Sequence, residues 1–183
     1  SATIGQTVNG VGDGEGILKL SGTGTTVSSA IGTTGTNSLA AIDVDGTATF
    51  DGASEATAYT VDATTTFTGA VTANTSFTVD SSAAVTLTAA SDLSLGTITT
   101  GTLTADALLT TSDLINTAGK VYLNAASNEM GAGRYAAGDG TELHVGKAFV
   151  TTNTITISDD ANGGATDFHS GSKIYLPSNF TSG

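Results

Sequence analysis

The residues best equipped for chemistry in this chain are acids set beside glycines. Asp43-Val44-Asp45-Gly46, Asp13-Gly14-Glu15 and Ser158-Asp159-Asp160-Ala161-Asn162-Gly163-Gly164 offer carboxylate and carbonyl oxygens in short loops, the donor set that a hard cation takes. Asp43, Asp45, Asp159 and Asp160 are therefore the candidate calcium ligands. None of these loops completes an EF-hand, and Asp, Asn and Gly are also the ordinary residues of turns. The preferred expectation is a chain without a cofactor, calcium being the ionic alternative.

Other chemistry finds less support. His144 and His169 are the only histidines and form no metal-spaced pair, so both read as ordinary strand or loop residues. The absence of Cys excludes a disulfide framework and a thiolate metal site. No G-x-S-x-G turn marks a nucleophile. Two-carboxylate action on a polysaccharide is the serious enzymatic alternative, but between Lys19 and Lys120 there are acids and no basic residue to stabilise developing charge. The expectation is a protein that is not an enzyme. Asn74-Thr75-Ser76 and Asn179-Phe180-Thr181 match the glycosylation acceptor pattern.

The elements that must carry these residues are strands. With 183 residues the chain is sized for one domain, and a hydrophobic share of 38% disfavours disorder. Asp and Glu number 17 against 5 Lys and Arg, a formal charge of −12 with no basic cluster, which argues against nucleic acid as a partner. No apolar run reaches the roughly 18 residues of a membrane span. A chain that starts at Ser1 and is rich in Thr, Ser, Gly, Asn and Ala suggests a mature secreted or surface product, its signal peptide removed. Thr and Val are β-branched, and segments such as Ala58-Tyr59-Thr60-Val61 and Val85-Thr86-Leu87 lie near turn residues. The class is all-β.

The strands recur. Phe50, Phe67, Val85, Leu103 and Val121 are separated by seventeen or eighteen residues, and Ile42, Tyr59, Phe77 and Leu95 follow in step. Val44, Val61, Val79 and Ile115 make a third column, with Thr97 in its gap. A finer six-residue beat, with Ser91 and Thr97 as polar exceptions, suggests a triangular cross-section. This period suits one coil of a parallel β-solenoid whose like residues stack from turn to turn. The alternative is a β-sandwich or jelly roll with strand donation. The solenoid is expected over 17–124, preceded by an extension (1–16) with a short donatable strand, Ala2 to Val8, and a Gly-rich hinge. The region 125–183 loses the period and reads as an irregular β cap or docking region, with Pro177 ending an edge strand.

The run Gly32-Thr33-Thr34-Gly35-Thr36-Asn37-Ser38-Leu39-Ala40-Ala41-Ile42-Asp43-Val44-Asp45-Gly46-Thr47-Ala48-Thr49-Phe50-Asp51-Gly52-Ala53 resembles the β-strand repeats of bacterial surface proteins, of autotransporter passengers and rickettsial-type outer surface antigens. The resemblance implies an extracellular, solenoid-rich surface structure. This chain is short beside such proteins and has no membrane barrel, so length would have to come from assembly. The function expected is a non-enzymatic structural subunit that joins copies of itself head to tail into an extracellular filament or surface layer. An adhesin or viral tail-fibre module and a polysaccharide-acting β-helix enzyme are the alternatives.

Overall fold

The fold follows from stiff β-branched side chains alternating with apolar ones, interrupted every few residues by Gly, Asp or Thr at a corner. The computed structural model describes residues 1–32, 36–80, 82–99, 101–125, 134–145, 156–158 and 173–175, and every element assigned in them is a strand. One sheet contains β1 (Thr3–Ile4), β3 (Thr25–Val27), β5 (Ala48–Phe50), β7 (Thr65–Phe67), β9 (Ala84–Leu87), β11 (Thr102–Ala105), β13 (Lys120–Leu123), β15 (Glu142–Val145) and β17 (Lys173–Tyr175), neighbours in that order. The other contains β2 (Ile17–Leu20), β4 (Leu39–Val44), β6 (Ser54–Val61), β8 (Val71–Val79), β10 (Ser91–Ile98), β12 (Leu109–Asn116), β14 (Arg134–Ala137) and β16 (Thr156–Ser158).

Every pairing of these strands is parallel, and sequence-adjacent strands lie in opposite sheets. A sandwich or jelly roll is thereby excluded. The chain is a parallel β-solenoid with coils of about 18 residues across the central part; Thr102 lies opposite both Ala84 and Lys120, for example. Strand β8 buries Val71, Ala73, Phe77 and Val79 and exposes Asn74 and Thr75 between them, so the second sheet bends in mid-strand.

The core is a set of ladders along the axis. Ile42, Tyr59 and Phe77 are opposite one another on successive turns and all are buried. Phe50 and Phe67 do the same on the first sheet. Corners are tight: a Cβ added to Gly69 would lie 2.3 Å from the backbone of Gly52 on the previous winding, so only glycine fits that approach. Burial pushes the Tyr59 hydroxyl above its ordinary range, and it stays protonated.

Three ladders differ in phase from the spacing in the sequence. Phe67 stands opposite Leu87, and Val85 stands opposite Thr65, because the winding between β7 and β9 carries two extra residues. Gly96, not Leu95, faces Phe77 across a register shift in β10. Ile98 and Asn116 continue the column of Val44, Val61 and Val79, while Thr97 and Ile115 are neighbours of each other one position away. Ser91, a polar exception to the beat, is nonetheless buried; its Oγ donates to Ala89 O at 3.0 Å.

The two ends belong to the same sheets. Ala2 to Val8 lies in the chain's own solenoid: Thr26 N donates to Ala2 O at 2.9 Å, Ser28 N to Ile4 O at 3.0 Å and Gly32 N to Val8 O at 2.7 Å. Beyond Ala125, β14 to β17 extend both sheets in parallel.

Candidate functional site

Because strands alternate in and out, one residue per odd-numbered strand must point outward at the same height, and the registers align these residues. Thr3, Thr26, Thr49, Thr66, Thr86 and Thr104 form one continuous outward column. Two residues earlier on each winding, Ala84 and Thr102 lie opposite each other in a second column, with Thr47 and Thr64 at the same offset just before β5 and β7. From Thr3 to Thr104 the first column contains no charged residue, whereas the second runs on from Thr102 into Lys120, Glu142 and Lys173. Between them runs an open trough of about 230 Å³ lined by Thr26, Thr47, Thr49, Thr64 and Thr66 among others.

Past Thr104 the first column changes character. Tyr122, His144 and Tyr175 continue it as stacked rings, with centroids 4.5 Å apart for the first pair and 4.3 Å for the second. Glu142, beside them, accepts from Lys120 Nζ at 3.2 Å and contacts His144 Nε2 at 3.0 Å. The hydrogen bond with His144, and then the Lys120 ammonium, hold the Glu142 carboxyl below its ordinary range. This ladder was missed in the sequence because the coils that build it are longer than eighteen residues: Lys120 pairs with Glu142 and Glu142 with Lys173. The one available signal was the alternating pattern of Lys120-Val121-Tyr122, Glu142-Leu143-His144 and Lys173-Ile174-Tyr175.

Of the calcium candidates, Asp43 and Asp45 do come together, and Asp62 from the next winding joins them, with ligand atoms all within 4.8 Å. Asp159 and Asp160 lie outside the described residues, as do His169, Pro177 and the second glycosylation pattern. The acidic corner already contains a cation. Lys19 Nζ lies 2.7 Å from Asp43 Oδ2 and 2.9 Å from Asp45 Oδ2, because β2 pairs with β4 and sets Lys19 opposite Asp43. The hydrogen bonds that Lys19 Nζ donates to these two carboxylates raise the ammonium's pKa, and the bond from Lys19 lowers that of Asp45. Asp62 is pushed up by partial burial and then by the nearby charges of Asp80, Asp43 and Asp45. A calcium ion, which needs six or more oxygen ligands, would have to displace the ammonium. Asp13 is engaged elsewhere, accepting from Ser38 N and Ser38 Oγ.

No family model, curated protein or solved structure matches this chain. Among the described residues, no helix is long and apolar enough to cross a membrane.

Proposed function

We propose that the chain is a non-enzymatic structural subunit that stacks head to tail on copies of itself to build an extracellular filament or surface layer. The observation that carries this reading is the open parallel edge at β1. Ala2 O and Ile4 O accept bonds from the following strand, so the ladder directs the N–H and C=O of Thr3 away from the sheet. Such an edge is a template for another strand. The apolar interior continues to both ends: Ile4, Val8 and Leu18 at one and Ile174 at the other are packed on the core yet only partly buried. A translation along the axis joins one end to the other, and a contact of this heterologous kind does not close into a ring.

Stacking is favoured over strand donation, since Ala2 to Val8 already has partners within its own chain. Extracellular placement rests on the composition and on the resemblance of 32–53 to bacterial surface repeats. The non-enzymatic reading draws on the acidic corner, where Asp43 and Asp45 are bound to Lys19 and are not paired across a cleft.

Negative-stain electron microscopy of the purified chain tests the reading, with unbranched filaments expected. Thr3→Pro removes the outward donor at one end and Ile174→Glu charges the other, and each should leave a folded monomer. A wild-type chain that stays monomeric at all concentrations, or filaments indifferent to both substitutions, would reject head-to-tail stacking.

A further inference from the structure

We propose that Ser54 and Tyr59 hold one internal water molecule between them inside the solenoid, across the register shift of β6. Both side chains point into the core, Ser54 with 3% of its surface exposed and Tyr59 with 1%, and neither hydroxyl has a hydrogen-bond partner among the described residues. Hydroxyls this deep are nearly always bonded, because an unmet one loses its hydration without replacement. Burial raises the Tyr59 hydroxyl's pKa and the Ser54 hydroxyl draws it partly back, so the two oxygens are neighbours although no hydrogen bond joins them directly.

The windings on either side show that the two polar groups belong together. Ser54 lies opposite Ile31 on one winding and Val71 on the next, and Tyr59 lies opposite Ile42 and Phe77. Both positions are apolar on both neighbouring turns and become polar together on β6. Ser91, the buried serine two windings on, meets its needs locally: its Oγ donates to Ala89 O at 3.0 Å and accepts from Val71 N at 3.3 Å. Ser54 has no such bond. Side-chain sizes supply the room. Ser54 is smaller than Ile31 and Val71, and the buried residue between Ser54 and Tyr59 on β6 is Ala56, opposite the equally small Ala73. A water needs two or more polar partners, and two hydroxyls, each able to donate and to accept, provide them. The neighbouring acid does not call for an ion at this place, since Glu55 falls on the opposite face of the strand and accepts from Asn74 Nδ2 at 3.4 Å. The bound water would tie Ser54, before the shift between Ala56 and Ala58, to Tyr59 after it.

The test uses the full chain. A crystal structure at a resolution that shows ordered water should place one within hydrogen-bond distance of both Ser54 Oγ and Tyr59 Oη, and oxygen-17 relaxation dispersion counts the long-lived waters in solution. Ser54→Val combined with Tyr59→Phe copies the apolar pair of β8. This double variant should keep the wild-type circular dichroism, hold one long-lived water fewer than wild type and melt above either single variant, each of which leaves a buried hydroxyl without its bridge. The same count of long-lived waters in wild type and double variant overturns the proposal. So does a direct Ser54–Tyr59 hydrogen bond in the crystal with no water beside it, or a pair whose single substitutions each raise the melting temperature.

Discussion

Phe50 and Phe67 stack face to face across one winding, ring centroids 4.7 Å apart and planes 18° from parallel, with neither ring exposed to solvent. Tyr59 and Phe77 meet Phe67 from the adjoining side at 6.1 and 6.0 Å, so this ring is the hub of the aromatic core. Phe67→Ala should cost about 3–5 kcal/mol, the range for deleting a buried aromatic ring that its surroundings cannot refill. Urea denaturation followed by circular dichroism measures it. Phe67→Leu, which keeps most of the volume, should cost less than half as much, and an equal loss in both variants would mean that the ring contacts, and not the volume they fill, hold these turns together.

The corners make a separate demand. At Gly69 the space a methyl would need is filled by Gly52's backbone at 2.3 Å, and backbone cannot swing aside as a flexible side chain can. Gly69→Ala should therefore destabilise by about 1–3 kcal/mol through overpacking. Gly5, with nothing within 4 Å of an added Cβ, supplies the control, and Gly5→Ala should stay within about 0.5 kcal/mol of wild type.

The architecture was legible because inward and corner positions recur together, whereas ladder phase was not. Moving a strand by two residues leaves the same side chains facing in, so alternation cannot distinguish Phe67 over Val85 from Phe67 over Leu87. A shift by one does change the face, and it occurs in β10, where Gly96 takes the place expected of Leu95. Asn116 escaped for another reason: an apolar pattern points to Ile115 and has no means of showing that a buried amide is satisfied by its own corner. Of the acidic corner, Asp43 and Asp45 were visible as a motif, but Asp62 and Lys19 arrive through the stacking of neighbouring turns.

That corner predicts a pH dependence of mixed sign. Asp45, held low chiefly by Lys19, contributes stability above the ordinary carboxylate range that is lost as pH falls through its own lowered value. Asp62, held high, contributes in the opposite sense: its penalty is absent in acid and appears as pH rises through its raised value. Asp62→Asn should raise the melting temperature at neutral pH, and the gain should vanish below the ordinary Asp pKa of about 4. Calcium should stabilise wild type no more than sodium chloride of equal ionic strength. In Lys19→Met, with the ammonium gone, calcium should raise the melting temperature beyond that salt effect. Calcium-specific stabilisation of wild type would show that the ion displaces Lys19.

Asn116 is fully buried in line with Ile98, and its side chain replaces a hydrophobic contact with a clamp. The Oδ1 accepts from Gly119 N at 2.8 Å, while Nδ2 donates to Gly119 O at 3.0 Å and reaches Glu142 O of the next winding at 3.4 Å. The corner needs both an acceptor and a donor from this one residue, a requirement only an amide meets here. Asn116→Leu fits the apolar column but strands the Gly119 N–H, and should cost about 1–3 kcal/mol. Asn116→Asp keeps the acceptor and loses the donor at neutral pH, placing an ionised carboxylate against two carbonyl oxygens. Its pKa should rise on folding, so this variant should be least stable at neutral pH and recover in acid, where the protonated oxygen can donate again. Thermal melts of both variants from pH 3 to pH 8 decide the matter, because a purely steric role for Asn116 would make the aspartate variant insensitive to pH.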